Sequence, residues 1–203
     1  MSRLEQNLGR EPLVPLNDDD ELASNHAEFL ALINAKGGKI TNNVRAFSHG
    51  DALALATRRF LDETWALGGL SKQFQSLIRY KVSTTNTCFY CSTHQIRHLT
   101  NNGVPQEKID NIHDFETHPA FDDRERAALG FIDAMTRDAS NIPDVVAKYF
   151  VDAFSPKERV EISIVATAMG MLNKMNDALR IPLEDEALDQ ALTVPEFKKG
   201  GKA

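Results

Sequence analysis

The sequence is poor in the residues that give most functions away. It holds two cysteines, one tryptophan and three tyrosines among 203 residues. Two cysteines cannot build a disulfide scaffold, and a chain of this length buries enough surface to fold without one. No second Cys/His cluster exists to complete a closed four-ligand zinc centre. Positive charge is also scarce: 23 Lys+Arg against 29 Asp+Glu give a net charge of −6, which points away from nucleic acid and anionic membranes. No apolar run is long enough to span a bilayer. The opening Met1-Ser2-Arg3-Leu4-Glu5-Gln6 has no apolar core, so no signal peptide is expected and the expected compartment is the cytoplasm. In that compartment a close cysteine pair is more often catalytic, redox-active or metal-binding than structural.

Strand alternation is missing as well, and helical periodicity takes its place. The expected class is all-α, a single helical domain over residues 21–185, with an N-terminal arm over 1–20 and a C-terminal tail over 186–203. Pro12, Pro15 and the acidic run Asp18-Asp19-Asp20-Glu21 mark the arm as a solvated extension. One helix is expected from Leu22 to Asn34, stopping at Gly37-Gly38, and another from Ala52 to Ala66, stopping at Gly68-Gly69. Ser71 caps the next, which carries Phe74, Leu77, Ile78 and Val82. Asp122-Asp123-Arg124-Glu125 and Ser155-Pro156-Lys157-Glu158 read as further helix starts. The last opens a long apolar helix reaching about Leu179 and closed by Pro182. Leu70-Ser71 and Phe154-Ser155 echo each other, which suggests two similar helical halves.

Both cysteines fall in Thr84-Thr85-Asn86-Thr87-Cys88-Phe89-Tyr90-Cys91-Ser92-Thr93-His94-Gln95. The four polar residues in front can each cap a helix, so a helix is expected to open at or near Cys88 and run to about Asn102, before Gly103. Thiols in a first turn lie near unpaired N–H groups and the positive end of the helix dipole, which favours thiolate. Cys88 and Cys91 share a face and can close a disulfide with little backbone movement. His94 lies one turn beyond Cys91 and about 60° round, whereas His98 is two turns away, roughly 10 Å along the axis. Gln95 can donate a hydrogen bond but cannot carry a proton.

Plainer readings stand beside this one. The thiols can be inert core residues, His94 a surface histidine and His98 structural. A zinc site on Cys88, Cys91 and His94 lacks a fourth protein ligand. Haem attachment is excluded because Ser92, not histidine, follows Cys91. His49 and His113 read as loop residues. Trp65, Phe60, Met169, Met171 and Met175 read as core, and Tyr90 either lines a pocket or packs inward.

The pattern Asn86-x-Cys88-x-Tyr90-Cys91, behind a Ser71-started helix, resembles the alkylhydroperoxidase D-like branch of the carboxymuconolactone decarboxylase superfamily. So do Asn43-Val44-Arg45-Ala46-Phe47-Ser48-His49, Arg124-Glu125-Arg126-Ala127-Ala128-Leu129, Phe154-Ser155-x-x-Glu158 and Asn173-x-x-Asn176-x-x-Leu179-x-Ile181-Pro182. The resemblance spans roughly residues 20–185. It implies an all-helical fold assembled as a homo-oligomer (dimer, trimer or hexamer) with no cofactor. It implies a thiol peroxidase or disulfide reductase of antioxidant defence, taking hydroperoxide substrates and an unidentified thiol or dithiol electron donor. Cys91 would be the peroxidatic thiol, Cys88 the resolving thiol and His94 the proton carrier. Two positions depart from the family pattern. Gln95 stands where the relay histidine is usual, with His94 one residue early, and Ser76 stands where the relay glutamate is usual. A carboxylate for His94 would then come from elsewhere, with Glu158 or Glu161 as candidates. The alternatives are a decarboxylase or lactone-processing relative, and a non-catalytic redox-sensing or ligand-binding helical oligomer.

Overall fold

The computed structural model describes residues 10–35, 39–191 and 193–194, and among them no strand occurs. Eleven α-helices carry those residues. In chain order α1 is Asp19–Asn25, α2 Ala27–Ala35, α3 Asn42–Phe47 and α4 Asp51–Ala66. The central set is α5 Lys72–Thr85, α6 Phe89–Asn101 and α7 Gln106–Asp110. The second half holds α8 Asp123–Asp138, α9 Asp144–Ala153, α10 Pro156–Ala178 and the short α11 Leu188–Ala191.

The centre of the molecule is α5. Ten of its residues, from Gln75 to Thr84, are buried without a break. A helix that is buried all round must be walled on every side, and here α6, α8 and α10 pack directly against it. Tyr80 and Ile78, both fully buried, fill the middle together with Leu99, Leu129, Ile132 and Ile162. Helix starts follow the side-chain caps expected. The Ser71 hydroxyl accepts from Phe74 N–H, and both Asp122/Glu125 and Ser155/Glu158 form complete capping boxes. Each such cap satisfies N–H groups that would otherwise be left without a partner.

Three expectations need correction. The helix expected over Leu22–Asn34 is two, parted at His26, whose backbone (φ −131°, ψ 35°) leaves the helical region. The expected stop at Gly37-Gly38 lies outside the described residues. The acidic run is not part of an extension but starts α1: Asp18 caps the helix in a capping box with Glu21, and acids favour the positive end of the dipole. Residues 10–18 are no solvated arm either. Leu13 N–H bonds the Leu179 carbonyl, Val14 and Leu16 pack on the core, and buried Asn17 donates to the Ser48 hydroxyl at 2.8 Å.

The tail expected over 186–203 is packed against the core where it is described. After Pro182 the chain folds back so that α11 packs against α6, with Ala191 and Val194 fully buried. The physical reason is apolar: Leu183, Ala191 and Val194 join the main core and are withdrawn from water by doing so. Val194→Ala is therefore expected to cost about 1–3 kcal/mol of unfolding free energy by chemical denaturation. A frayed end would give no change.

Candidate active site

Cys88 is the cap of α6 itself. The preceding threonines do not cap it, because Thr84 and Thr85 still belong to α5. Between the helices the chain turns through Thr87, a non-glycine residue at φ +56°. The Cys88 sulfur accepts from Cys91 N–H at 3.4 Å, as a serine hydroxyl would at a helix start. The two sulfurs face each other at 2.7 Å with no bond between them, and both residues are buried.

The partners of the two thiols differ. The Cys91 sulfur receives a hydrogen bond from Cys88 and another from Asn176 Nδ2 at 3.2 Å. Cys88 is pushed well above the ordinary thiol range by burial, by its hydrogen bond to Cys91, and by the negative charges of Cys91 and Asp177. Cys88 thus keeps its proton and points it at Cys91. The loop between α5 and α6 is held from α10: Asn173 accepts from Asn86 Nδ2 at 2.8 Å and donates to Ser83.

Cys91 borders a cavity of about 660 Å³ between the N-terminal helices and the α5–α6–α10 layer. His94 and Tyr90 share its wall, as do Arg79, Trp65 and Gln95. The sulfurs thus point at each other, and the cavity reaches one of them. His94 bonds outward. Its Nε2 lies 2.9 Å from Glu184 Oε2, its Nδ1 2.8 Å from the Tyr90 carbonyl, and its ring stacks on that of Tyr90. Both partners are acceptors, so each ring nitrogen has an acceptor for a proton it carries. Among the described residues no hydrogen bond links His94 directly to Cys91.

Glu184 is the residue that sequence reasoning missed. It also accepts from Tyr90 OH at 2.9 Å and from Asn42 N–H at 2.6 Å. Burial alone would raise its carboxyl, but the His94 hydrogen bond, the Asn42 N–H and the His94 charge hold it down at about 2. Glu158 and Glu161 are engaged elsewhere. Glu158 caps α10 and pairs with Arg124, and Glu161 accepts from Gly69 N–H. Ser76 is taken up by other partners, accepting from Arg79 and Asn102 and donating to the Lys72 carbonyl. His98 lies on the cavity wall and reaches solvent on one side, yet the packing of its ring and the charges of Arg79, Arg97 and His94 push it down to about 4. Cys88, Cys91 and His94 do not converge on one point. Among the described residues no three His, Cys, Asp or Glu side chains are grouped to hold a metal ion.

Residues 51–134 match the carboxymuconolactone decarboxylase family. The likeness to that family covers this span, less than half of the chain. Solved structures extend the likeness to nearly the whole chain. The debrominase Bmp8 superposes with a TM-score of 0.78 at 20% identity, covering 91% of this chain and 98% of that one. A peroxidase-related protein from Ralstonia eutropha JMP134 with an alkylhydroperoxidase AhpD core gives 0.71 at 17% identity, covering 90% and 98%. A peroxidase-related protein from Silicibacter sp. TM1040 gives 0.70 at 22%, covering 88% and 93%. At these identities the likeness establishes the fold, which is the AhpD-like all-α one. No curated protein matches the chain.

Glu184 lies outside the matched segment. No periodicity or motif marks Glu184: it is one carboxylate after a helix-ending proline, 90 residues from its histidine in sequence. The only available hint was Ile181-Pro182 shortly before it. No helix of the described residues is long and apolar enough to cross a membrane.

The low value at Glu184 has a definite sign. Its folded value of about 2 lies below the ordinary 4.5, so the stabilisation is complete above pH 4.5 and fades as pH falls toward 2. Solvent screening takes part of the full linkage energy from a carboxylate that water partly reaches. Glu184→Gln should therefore lose about 1–2 kcal/mol of unfolding free energy at pH 7. Denaturant titrations at pH 7, 4 and 3 should show the gap between wild type and variant narrowing as the pH drops.

Proposed function

We propose that the chain is a dithiol-dependent reductase acting on organic hydroperoxides, with Cys91 as nucleophile, Cys88 as resolving thiol and the His94–Glu184 pair as proton source. The observation that carries this reading is the asymmetric thiol pair. One sulfur borders a cavity and accepts two hydrogen bonds, while the other is buried behind it with its proton retained. A nucleophilic thiol backed by a resolving thiol is the arrangement that two-electron thiol reduction requires.

The chemistry balances without a cofactor. The Cys91 thiolate attacks the terminal peroxide oxygen, a sulfur–oxygen bond forms, and the oxygen–oxygen bond breaks. The departing alkoxide takes a proton from the His94 imidazolium and leaves as an alcohol, with Glu184 steadying the charge on the ring. Cys88 then attacks the sulfenic acid, the disulfide forms, and water leaves with the Cys88 proton. An external thiol or dithiol returns both sulfurs to the reduced state. Tyr90 and Asn42 act through Glu184, whose carboxylate they hold in place.

The donor and homo-oligomeric assembly belong to this proposal too. An exposed apolar groove of about 740 Å³ that includes Phe60, Val151, Val160 and Ile164 offers a surface for self-association.

A second reading draws on the cavity, which at about 660 Å³ is far roomier than a peroxide group needs. The debrominase Bmp8 shares the fold, and a cysteine-to-alanine variant of that protein is solved in complex with 2,3,4-tribromopyrrole. Bromide release from that compound by this chain, without hydroperoxide consumption, would favour reductive dehalogenation. A decarboxylase or lactone-processing role would instead survive thiol alkylation.

The test is cumene hydroperoxide consumption with dithiothreitol as donor. Wild type should turn over and Cys91→Ser should fall to the uncatalysed rate. With one equivalent of hydroperoxide and no donor, Cys88→Ser should hold a dimedone-reactive sulfenic acid on Cys91 where wild type forms the disulfide. Glu184→Gln should lose about 10- to 100-fold in rate. Equal rates for wild type and Cys91→Ser would discard the proposal.

A further inference from the structure

Arg79 takes no part in that chemistry, yet it is a buried charge on the cavity wall. It rises from the buried centre of α5, is 8% exposed, and faces the same cavity as Cys91. Its Nε is buried with no partner. Among the described residues Nη2 donates to the Ser76 hydroxyl at 3.2 Å, and the guanidinium lies 4.9 Å from the centre of the Trp65 ring. Both partners are neutral.

The other cations of the wall are accounted for. Arg58 pairs with Asp62 at 2.9 Å, Lys39 with Glu186 and His94 with Glu184. Arg97 stands exposed in water. Among the described residues Arg79 is the one cavity cation that is both buried and without a carboxylate. Burying a guanidinium without a counter-ion opposes folding, and burial pulls Arg79 down to about 10. A planar donor fork left open beside an aromatic ring suits a carboxylate on an otherwise apolar body. The wall supplies apolar surface for that body in Leu61, Leu172 and Met175.

We infer that Arg79 anchors the carboxylate of an anionic organic substrate, whose apolar body lies along the cavity toward Cys91. The inference rests on the reading of this cavity as the substrate site and narrows the hydroperoxide to a carboxylate-bearing one. The serine at position 76, in place of the glutamate implied by the family resemblance, fits the same picture. A glutamate there could pair with Arg79 and occupy the fork, whereas Ser76 leaves its charge for the ligand.

The tryptophan count supplies the readout. Trp65 is the only tryptophan in the chain and stacks on Arg79, so its fluorescence reports ligand at the fork. In reduced full-length protein, para-isopropylbenzoate should perturb that fluorescence and bind at least about tenfold more tightly than para-isopropylbenzyl alcohol. Arg79→Gln should bind the two alike, and Arg79→Lys should keep part of the preference. In turnover, the para-carboxy derivative of cumene hydroperoxide should lose its advantage over cumene hydroperoxide in Arg79→Gln through KM, with kcat little changed. Equal binding of acid and alcohol by wild type overturns the inference, as does a preference retained in Arg79→Gln. Should the glutamine variant fail to fold, wild type and Arg79→Lys still decide by the same comparison. The binding arm involves no turnover, so it stands even if no hydroperoxide is reduced and the peroxidase reading falls.

Discussion

The site depends on one hydrogen bond, the one that Asn176 sends to the Cys91 sulfur. A buried sulfur that accepts hydrogen bonds needs donors, and α10 brings this one across the core from a position 85 residues later in the chain. The same helix fastens the cysteine turn through Asn173, one turn earlier. The buried α5, walled by α6, α8 and α10, therefore does more than fill space. It fixes the distance between the helix that bears the thiols and the helix that bears the amides. If α10 shifted by one residue, Cys91 would meet Met175 or Asp177 instead, a thioether or a carboxylate where a donor is needed.

Around that contact the polar groups divide into two systems that share the cavity. One is the outward chain from His94 through Glu184 to Tyr90 and Asn42, closed by mutual hydrogen bonds and charge. The other is Arg79, left half-satisfied by a serine and an aromatic ring. Fully paired polar clusters rigidify a site, and a partly paired one calls for something from outside. On the reading proposed above, the first system manages protons and the second positions the molecule that receives them.

Much of this could be read directly from the residues. Caps at Ser71, Asp122 and Ser155 are local chemistry, written within three residues, and the helices begin where they indicate. The cysteine pair at a helix start is local too, although Cys88 supplies the cap that the threonines were expected to give. What could not be read is whatever depends on chain segments meeting from afar. Glu184 sits in a stretch whose composition resembles a loose end, and its burial follows from Ala191 and Val194 finding the core, which no periodicity announces. In the sequence Arg79 is a charged residue within a helical stretch, with nothing beside it that marks it as internal. Only the packing of the elements around α5 makes it an internal charge. The N-terminal segment misled for the opposite reason: its prolines signal irregular backbone, and irregular backbone can still lie tightly against a surface, as Asn17 does.

The matched family segment ends at residue 134, while Asn176 and Glu184 come after it. A minimal fragment cut to the boundaries of that segment would carry both sulfurs and the imidazole but neither the amide nor the acid. In this chain the thiols and the imidazole come from one stretch of sequence, and the amide and the acid that bond them come from another, so the hydrogen bonds of the site form only when the two stretches meet in the fold.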